Sequence, residues 1–160
     1  MGRIHVAEFE DVAVTAAQDL FEILAPATCA VKIHEFSIFQ STDVGDAAEE
    51  ILELEMVRGD GTVTSGSGGS TVTPQPIDNG DSAPTVTVEA NNTTRMVVGT
   101  GTLDAIGKFG WNVRIPFEKI FTPETRPVCA PSDRWTLGLN DAPGDSITCS
   151  GHVVFEEIGG

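Results

Sequence analysis

The feature that most constrains this chain is its hydrophobic period, which is two rather than 3.6. Ile147, Cys149, Val153 and Phe155 alternate with Thr148, Ser150 and His152, and Trp111, Val113, Ile115 and Phe117 with Asn112, Arg114 and Pro116. Trp135, Leu137 and Leu139 are spaced by Thr136 and Gly138, Leu52, Leu54 and Met56 by Glu53 and Glu55, and Val86 and Val88 by Thr85, Thr87 and Glu89. Successive side chains of a strand point to opposite faces, so each run predicts a half-buried strand. Pro116 cannot donate to a ladder, which places its strand at an edge or a bulge. Between Cys29 and Gln40 the phase changes, with Val31 and Ile33 on one parity and Phe36 and Ile38 on the other. One extra residue near His34–Glu35, a β-bulge, would bring all four to one face. Ile4–Phe9 and Asp19–Leu24 supply two more strands, and Val12–Gln18 between them reads as strand or as a short helical turn. Helix is expected only as single turns at Asp46–Glu50 and Thr102–Lys108.

Turn signals punctuate these runs at Ala25-Pro26, Thr42–Gly45, Arg58–Gly61, Asp78–Asp81, Thr122-Pro123 and Asp141–Gly144. Many short strands at this spacing predict an all-β fold, an antiparallel β-sandwich of jelly-roll-like type. The 160 residues form a single expected domain, 1–160. A chain of that length buries roughly 70% of its unfolded surface, enough to be stable without disulfides or metal. One stretch breaks the rhythm: Arg58–Pro84, RGDGTVTSGSGGSTVTPQPIDNGDSAP, is rich in Gly, Ser, Thr and Pro. It reads as a long loop with a small strand at Thr71–Thr73, and loops of this length usually carry function or are disordered.

The formal net charge is −15, and the nine basic residues are scattered singly. Without a basic cluster, neither nucleic acid nor an anionic membrane surface is an expected partner. No apolar run approaches the ~20 residues that cross a bilayer. MGRIHVAEFE has no apolar signal core, and Val6 stands where a myristoylation motif wants Ser or Thr. Cys29, Cys129 and Cys149 are odd in number and form no CxxC, so small buried hydrophobes in a reducing compartment are the expected roles.

The search for chemistry yields no catalytic, metal-binding or cofactor-binding residue. Gly99-Thr100-Gly101 lacks the rest of a phosphate cradle, and Ser65-Gly66-Ser67-Gly68-Gly69 matches a nucleophile motif only in composition. His5, His34 and His152 have no ligand partner at close spacing and read as strand residues on solvated or interface faces. Asp43, Asp46, Glu49 and Glu50 around one turn, and Asp78-Asn79-Gly80-Asp81 at another, do not fit calcium-loop spacing. Asx-turn geometry accounts for the second. Arg58-Gly59-Asp60 matches an integrin tripeptide but is explained by a turn ending a strand. Glu156 and Glu157 are adjacent, so a strand would point them to opposite sides.

Five stretches carry a resemblance: VTAAQDLFEILAP (Val14–Pro26), TSGSGGSTVTP (Thr64–Pro74), VEANNTT (Val88–Thr94), Trp111-Asn112 followed by FTPETRPV (Phe121–Val128), and GHVVFEEIGG (Gly151–Gly160). Together they resemble the capsid decoration, or cement, proteins encoded among the head genes of tailed phages and prophages. The resemblance implies a non-enzymatic virion protein on the capsid surface, made in the host cytoplasm. Its implied partners are the major capsid protein and other copies of itself, as a homotrimer, and it implies no cofactor. Partner contacts are expected from Arg3 and His5 of the N-terminal segment, from Arg58, Asp60, Thr64, Ser65, Thr71 and Thr73 of the long loop, and from Asn91 and Asn92. An alternative reading is a receptor- or glycan-binding module of a viral fibre or spike. A third, an enzyme on a jelly roll, lacks the His pair that a cupin-type metal site needs.

Overall fold

The computed structural model describes residues 2–41 and 50–159. The alternating runs become fourteen strands. They are β1 (Arg3–Val14), β2 (Asp19–Leu24), β3 (Ala30–Gln40), β4 (Ile51–Asp60), β5 (Val63–Thr64), β6 (Ser70–Val72) and β7 (Gln75–Pro76). The rest are β8 (Thr87–Asn92), β9 (Val97–Val98), β10 (Thr102–Asn112), β11 (Phe117–Ile120), β12 (Val128–Cys129), β13 (Arg134–Leu139) and β14 (Ile147–Ile158). The described residues contain no helix.

Two antiparallel sheets make a β-sandwich. One runs β11–β3–β14–β1–β7, with β12 also pairing to β3, and the other runs β10–β4–β13–β2–β8–β6. A small ribbon, β5–β9, stands apart from both. The first four strands alternate between the sheets along the chain. β1 and β3 lie in the first sheet and β2 and β4 in the second; β13 then inserts between β2 and β4, and β14 between β1 and β3.

The alternation decides which faces meet. Val31, Ile33, Phe36, Ile38, Val153 and Phe155 of the first sheet pack with Phe21, Ile23, Leu54, Trp135, Leu137 and Leu139 of the second in one continuous core. Each large apolar side chain so buried contributes about 1.5–3 kcal/mol. The β3 bulge falls where the phase change required it. Ile33 pairs with Phe155 and Glu35 with Val154, which leaves His34 as the extra residue and turns Val31, Ile33, Phe36 and Ile38 all inward.

Three expectations are corrected. Thr102–Lys108 is not a helical turn but the start of β10, paired to β4. Its sequence lacks alternation because Ile106 is itself bulged: Ala105 pairs with Val57 and Gly107 with Met56, so the inward parity changes at that point. Trp111–Phe117 is not one strand, because the chain turns between β10 and β11. The Asn112 side chain accepts the Arg114 N–H at 3.0 Å, the Asn112 carbonyl accepts the Ile115 N–H at 3.0 Å, and Trp111 Nε1 donates to the Ile115 carbonyl at 3.0 Å. Ile115 is consequently exposed, and Pro116 ends the turn rather than sitting in a strand.

Arg58–Pro84 is the third. Arg58–Asp60, expected as loop and turn, are the end of β4, paired to Thr102–Asp104 of β10 and to Arg134–Trp135 of β13, and the rest of the stretch is laced on through four further pairings: Val63–Thr64 with Val97–Val98, Ser67 with Thr94, Ser70–Val72 with Val88–Ala90, and Gln75–Pro76 with His5–Val6. The expected small strand is there, at Ser70–Val72. Val63 and Met96 pack on Val57 in a satellite cluster. The turn expected at Thr42–Gly45, and the helical turn at Asp46–Glu50 apart from Glu50, lie outside the described residues.

Candidate partner-binding surface

Three buried carboxylates tie outer segments to the sandwich. Asp19 accepts the Met96 N–H at 2.6 Å and Arg95 Nε at 3.0 Å. Burial raises its carboxyl above the usual carboxylate range, and the bonds from Met96 and Arg95 pull the other way. Glu22 accepts the Gly66 N–H at 2.8 Å and Asn92 Nδ2 at 3.2 Å, which pins the Gly/Ser-rich stretch to β2. Glu157 accepts the Thr85 N–H at 2.7 Å, the Thr85 hydroxyl at 3.0 Å, the Val86 N–H at 2.9 Å and Arg3 Nη2 at 2.6 Å. Glu156, one residue earlier, faces away and meets His34 Nε2 at 3.1 Å. The two carboxylates do not share a cleft, as their adjacency on a strand requires. Each buried carboxylate is matched by several donors, the condition under which a buried charge is tolerated.

The residues expected to make partner contacts divide into two groups. His5, Asn91 and Asn92 are buried in this chain's own interior. His5 has the inward parity of Ala7 and Phe9 and stacks on Phe155 at 5.7 Å, which corrects its expected place on a solvated or interface face. Asn91, at φ 60°, accepts from Gln18 Nε2 at 3.1 Å, and Asn92 Nδ2 also donates to Glu89 at 3.0 Å. Ser65 accepts from Arg134 Nε at 2.9 Å, and Arg3 is held by Glu157. On the surface are Thr64, Thr71 and Thr73, with Arg58 and Asp60 as an ion pair at 3.5 Å. His34 and His152 are half-buried beside Glu156 and Glu35.

A more organised surface lies where the two sheets part. β10 and β11 are edge strands of opposite sheets, joined by the turn after Trp111. Between them, and past β12, opens a groove of about 590 Å3. Its apolar wall is Met56, Ile106, Phe109, Phe121, Pro127 and Val128. Phe36 lies behind it, with ring centroids 5.9 Å from Phe109, 5.9 Å from Phe117 and 6.1 Å from Phe121. Gly107 keeps the wall open, because a Cβ there would come within 2.6 Å of the Met56 methyl.

The rim carries Arg58, Lys108, Lys119 and Arg126, four of the nine basic residues of this acidic chain. Two of the four are neutralised. Arg58 donates to Asp104 at 3.0 Å, and Lys108 to Glu53 at 2.8 Å. Lys119 and Arg126 have no carboxylate within ion-pair distance among the described residues. Lys119 occupies an inward parity on β11 with Phe117 and Phe121, and its Nζ lies over the rings of Phe109 and Phe121 at 5.8 and 5.6 Å. The Nε of Arg126 is buried without a hydrogen-bond partner. Of the residues expected from sequence to touch a partner, only Arg58 lines this groove. A lysine between two inward phenylalanines in FEKIF was the available signal for it.

Of the acidic cluster around Asp43, Asp46 and Glu49 only Glu50 is described, and its carboxylate accepts the Gly144 N–H at 2.9 Å. In the second acidic turn, Asp78 accepts the Gly80 N–H at 2.9 Å, an Asx-turn. No group of three or more His, Cys, Asp or Glu among the described residues is placed to hold a metal ion. No helix of the described residues is long and apolar enough to cross a membrane. No family model, curated protein or solved structure matches the chain.

Proposed function

We propose that this protein is a structural component of a tailed-phage virion, one that binds the outside of the capsid and stabilises contacts between major capsid protein subunits. The observation that carries the reading is the pair of free sheet edges flanking an aromatic groove. In a sandwich whose interior is filled, and whose long connecting stretch is sewn onto its own edges, this opening offers an uncommitted surface for another polypeptide. The strand order supports a jelly-roll-like sandwich, with β1–β14–β3–β11 facing β2–β13–β4–β10. A charge of −15 suits steering towards basic regions of a large shell. Repetition of the contact over many equivalent sites, with copies grouped as trimers, would multiply a modest affinity. The glycan-binding alternative has less behind it, because both tryptophans, the usual sugar platforms, are 1% exposed.

The test is to add the purified protein to expanded capsids that lack it. Saturable binding with a higher capsid disruption temperature is the expected result. The reading is abandoned if the protein stays in the supernatant and leaves capsid stability unchanged.

A further inference from the structure

We propose that the groove between β10 and the β11–β12 edge is a docking site for an extended segment of a partner polypeptide. The segment carries an apolar residue and, two positions away on the same face, an acidic one. It adds as a strand beside the Gly107–Asn112 half of β10, beyond the bulge at Ile106. Its apolar side chain rests on Phe109 and Phe121, and its carboxylate is taken by Lys119 and Arg126.

Three observations converge on that occupant. The first is the ladder: β10 hydrogen-bonds to β4 on one side, and among the described residues no strand pairs with its other side, which leaves those backbone groups open to an added strand. Added strands use such groups for affinity and pockets at alternate side chains for specificity. The second is the aromatic wall, which would hold an apolar side chain. The third is charge. Lys119 and Arg126 stand in the groove without carboxylate partners among the described residues, whereas Arg3, Lys32, Arg58, Arg95, Lys108 and Arg134 are each paired with an acid, and the Arg126 Nε is buried without an acceptor. A buried donor without a partner is costly, and a carboxylate arriving from outside would relieve that cost.

A second copy of this chain is a poorer occupant. Its β10 would offer Asp104 as the acid on that face, and Arg58 already holds Asp104. An inward lysine on an edge strand is in other proteins a guard against sheet extension. A guard needs neither an aromatic wall nor a second cation with an unsatisfied donor, and the two roles predict different outcomes. The inference rests on the capsid reading only for the partner's identity, a capsid subunit; the chemistry of the groove stands without it.

The experiment uses the whole protein and a short, capped, labelled peptide alternating glutamate with leucine and phenylalanine so that acid and apolar residues recur two apart. Fluorescence anisotropy at low salt is expected to show saturable binding, weakened at least about tenfold by Lys119→Glu with Arg126→Glu and more mildly by the paired glutamine changes. The same peptide with lysine for glutamate is expected not to bind. Melting curves establish that the variants fold, and sedimentation reports their oligomeric state. Equal binding of the lysine peptide, or a folded double variant that binds as wild type does, overturns the proposal; so does a variant whose only change is self-association, the signature of an edge guard. Capsid binding separates the two claims. If wild type and double variant decorate capsids equally, the groove proposal fails and the capsid reading survives. If wild type ignores capsids but the peptide result holds, the groove proposal survives and the capsid reading fails.

Discussion

Arg3 and Glu157 meet at 2.6 Å across the β1–β14 pair, with the Glu157 side chain fully buried and that of Arg3 31% exposed. The same carboxylate accepts from the backbone N–H groups of Thr85 and Val86, so one side chain fastens both the N-terminal strand and the entry to β8. Glu157→Ala would leave these donors without an acceptor. Each orphaned buried donor costs about 1–3 kcal/mol, so a loss of roughly 3 kcal/mol or more is expected in urea denaturation. Glu157→Gln keeps one acceptor oxygen and is expected to lose less. Equal stability of wild type and the alanine variant would mean that this cluster is solvated in solution.

Gly69 lies against the edge of the second sheet, where a Cβ would come 2.2 Å from the Ala90 carbonyl and 2.6 Å from Asn92 Oδ1. The first contact is with backbone and cannot swing away. Gly69→Ala is therefore expected to lift the Gly/Ser-rich stretch off β8, at a cost of about 1–3 kcal/mol. Limited proteolysis should show faster cleavage within Ser65–Thr73 than in wild type, at a temperature where both remain folded. An unchanged cleavage pattern would mean the stretch is held elsewhere.

The strands, the inward faces and the β3 bulge were legible because apolar alternation is imposed by burial, and burial acts on each residue locally. A single out-of-phase residue such as His34 leaves a readable mark when large apolar side chains flank it on both sides. At Ile106 the same device was invisible, because Leu103, Ala105 and Gly107 around it have little or no side chain committed to the core. The Trp111–Phe117 run misled for the opposite reason: alternation continued through a turn that Asn112 and Trp111 close by hydrogen bonds. The long stretch reads as a loop because its attachment is largely polar, through Glu22, Asn92 and short pairings that leave no hydrophobic pattern. The groove escaped notice because it depends on two strands from different sheets ending up side by side, and no local period encodes that.

Asp19 predicts an uncommon sign of pH dependence. Burial raises its folded-state carboxyl above the ordinary value of 3.8, so ionisation is harder in the folded chain than in the unfolded one. The stability tied to Asp19 is therefore fully present below pH 3.8 and is lost as pH rises through the raised folded value. Asp19→Asn removes that titration. The expected outcome is a wild-type advantage over the variant that is largest in acid and shrinks towards neutrality. Denaturation midpoints of both proteins across that range check it. A wild-type advantage that grows with pH would mean that the bonds from Arg95 and Met96 outweigh desolvation.

All three cysteines are buried and unpaired. Burial pushes the thiols of Cys129 and Cys149 up to about 12, where almost no thiolate exists in mildly alkaline buffer. Thiolate is the reactive form, and both side chains also sit inside the continuous core, so a reagent has neither the nucleophile nor a path to it. In native buffer a disulfide reagent is thus expected to modify neither residue on the timescale in which it modifies free thiol, and all three should react once the chain is unfolded in urea. The rate at intermediate urea should follow the unfolded fraction, because reaction would require opening of the sandwich. Rapid native labelling located by mass spectrometry at Cys149, which is 0% exposed between β1 and β3, would show that the central strands of the first sheet open locally without global unfolding.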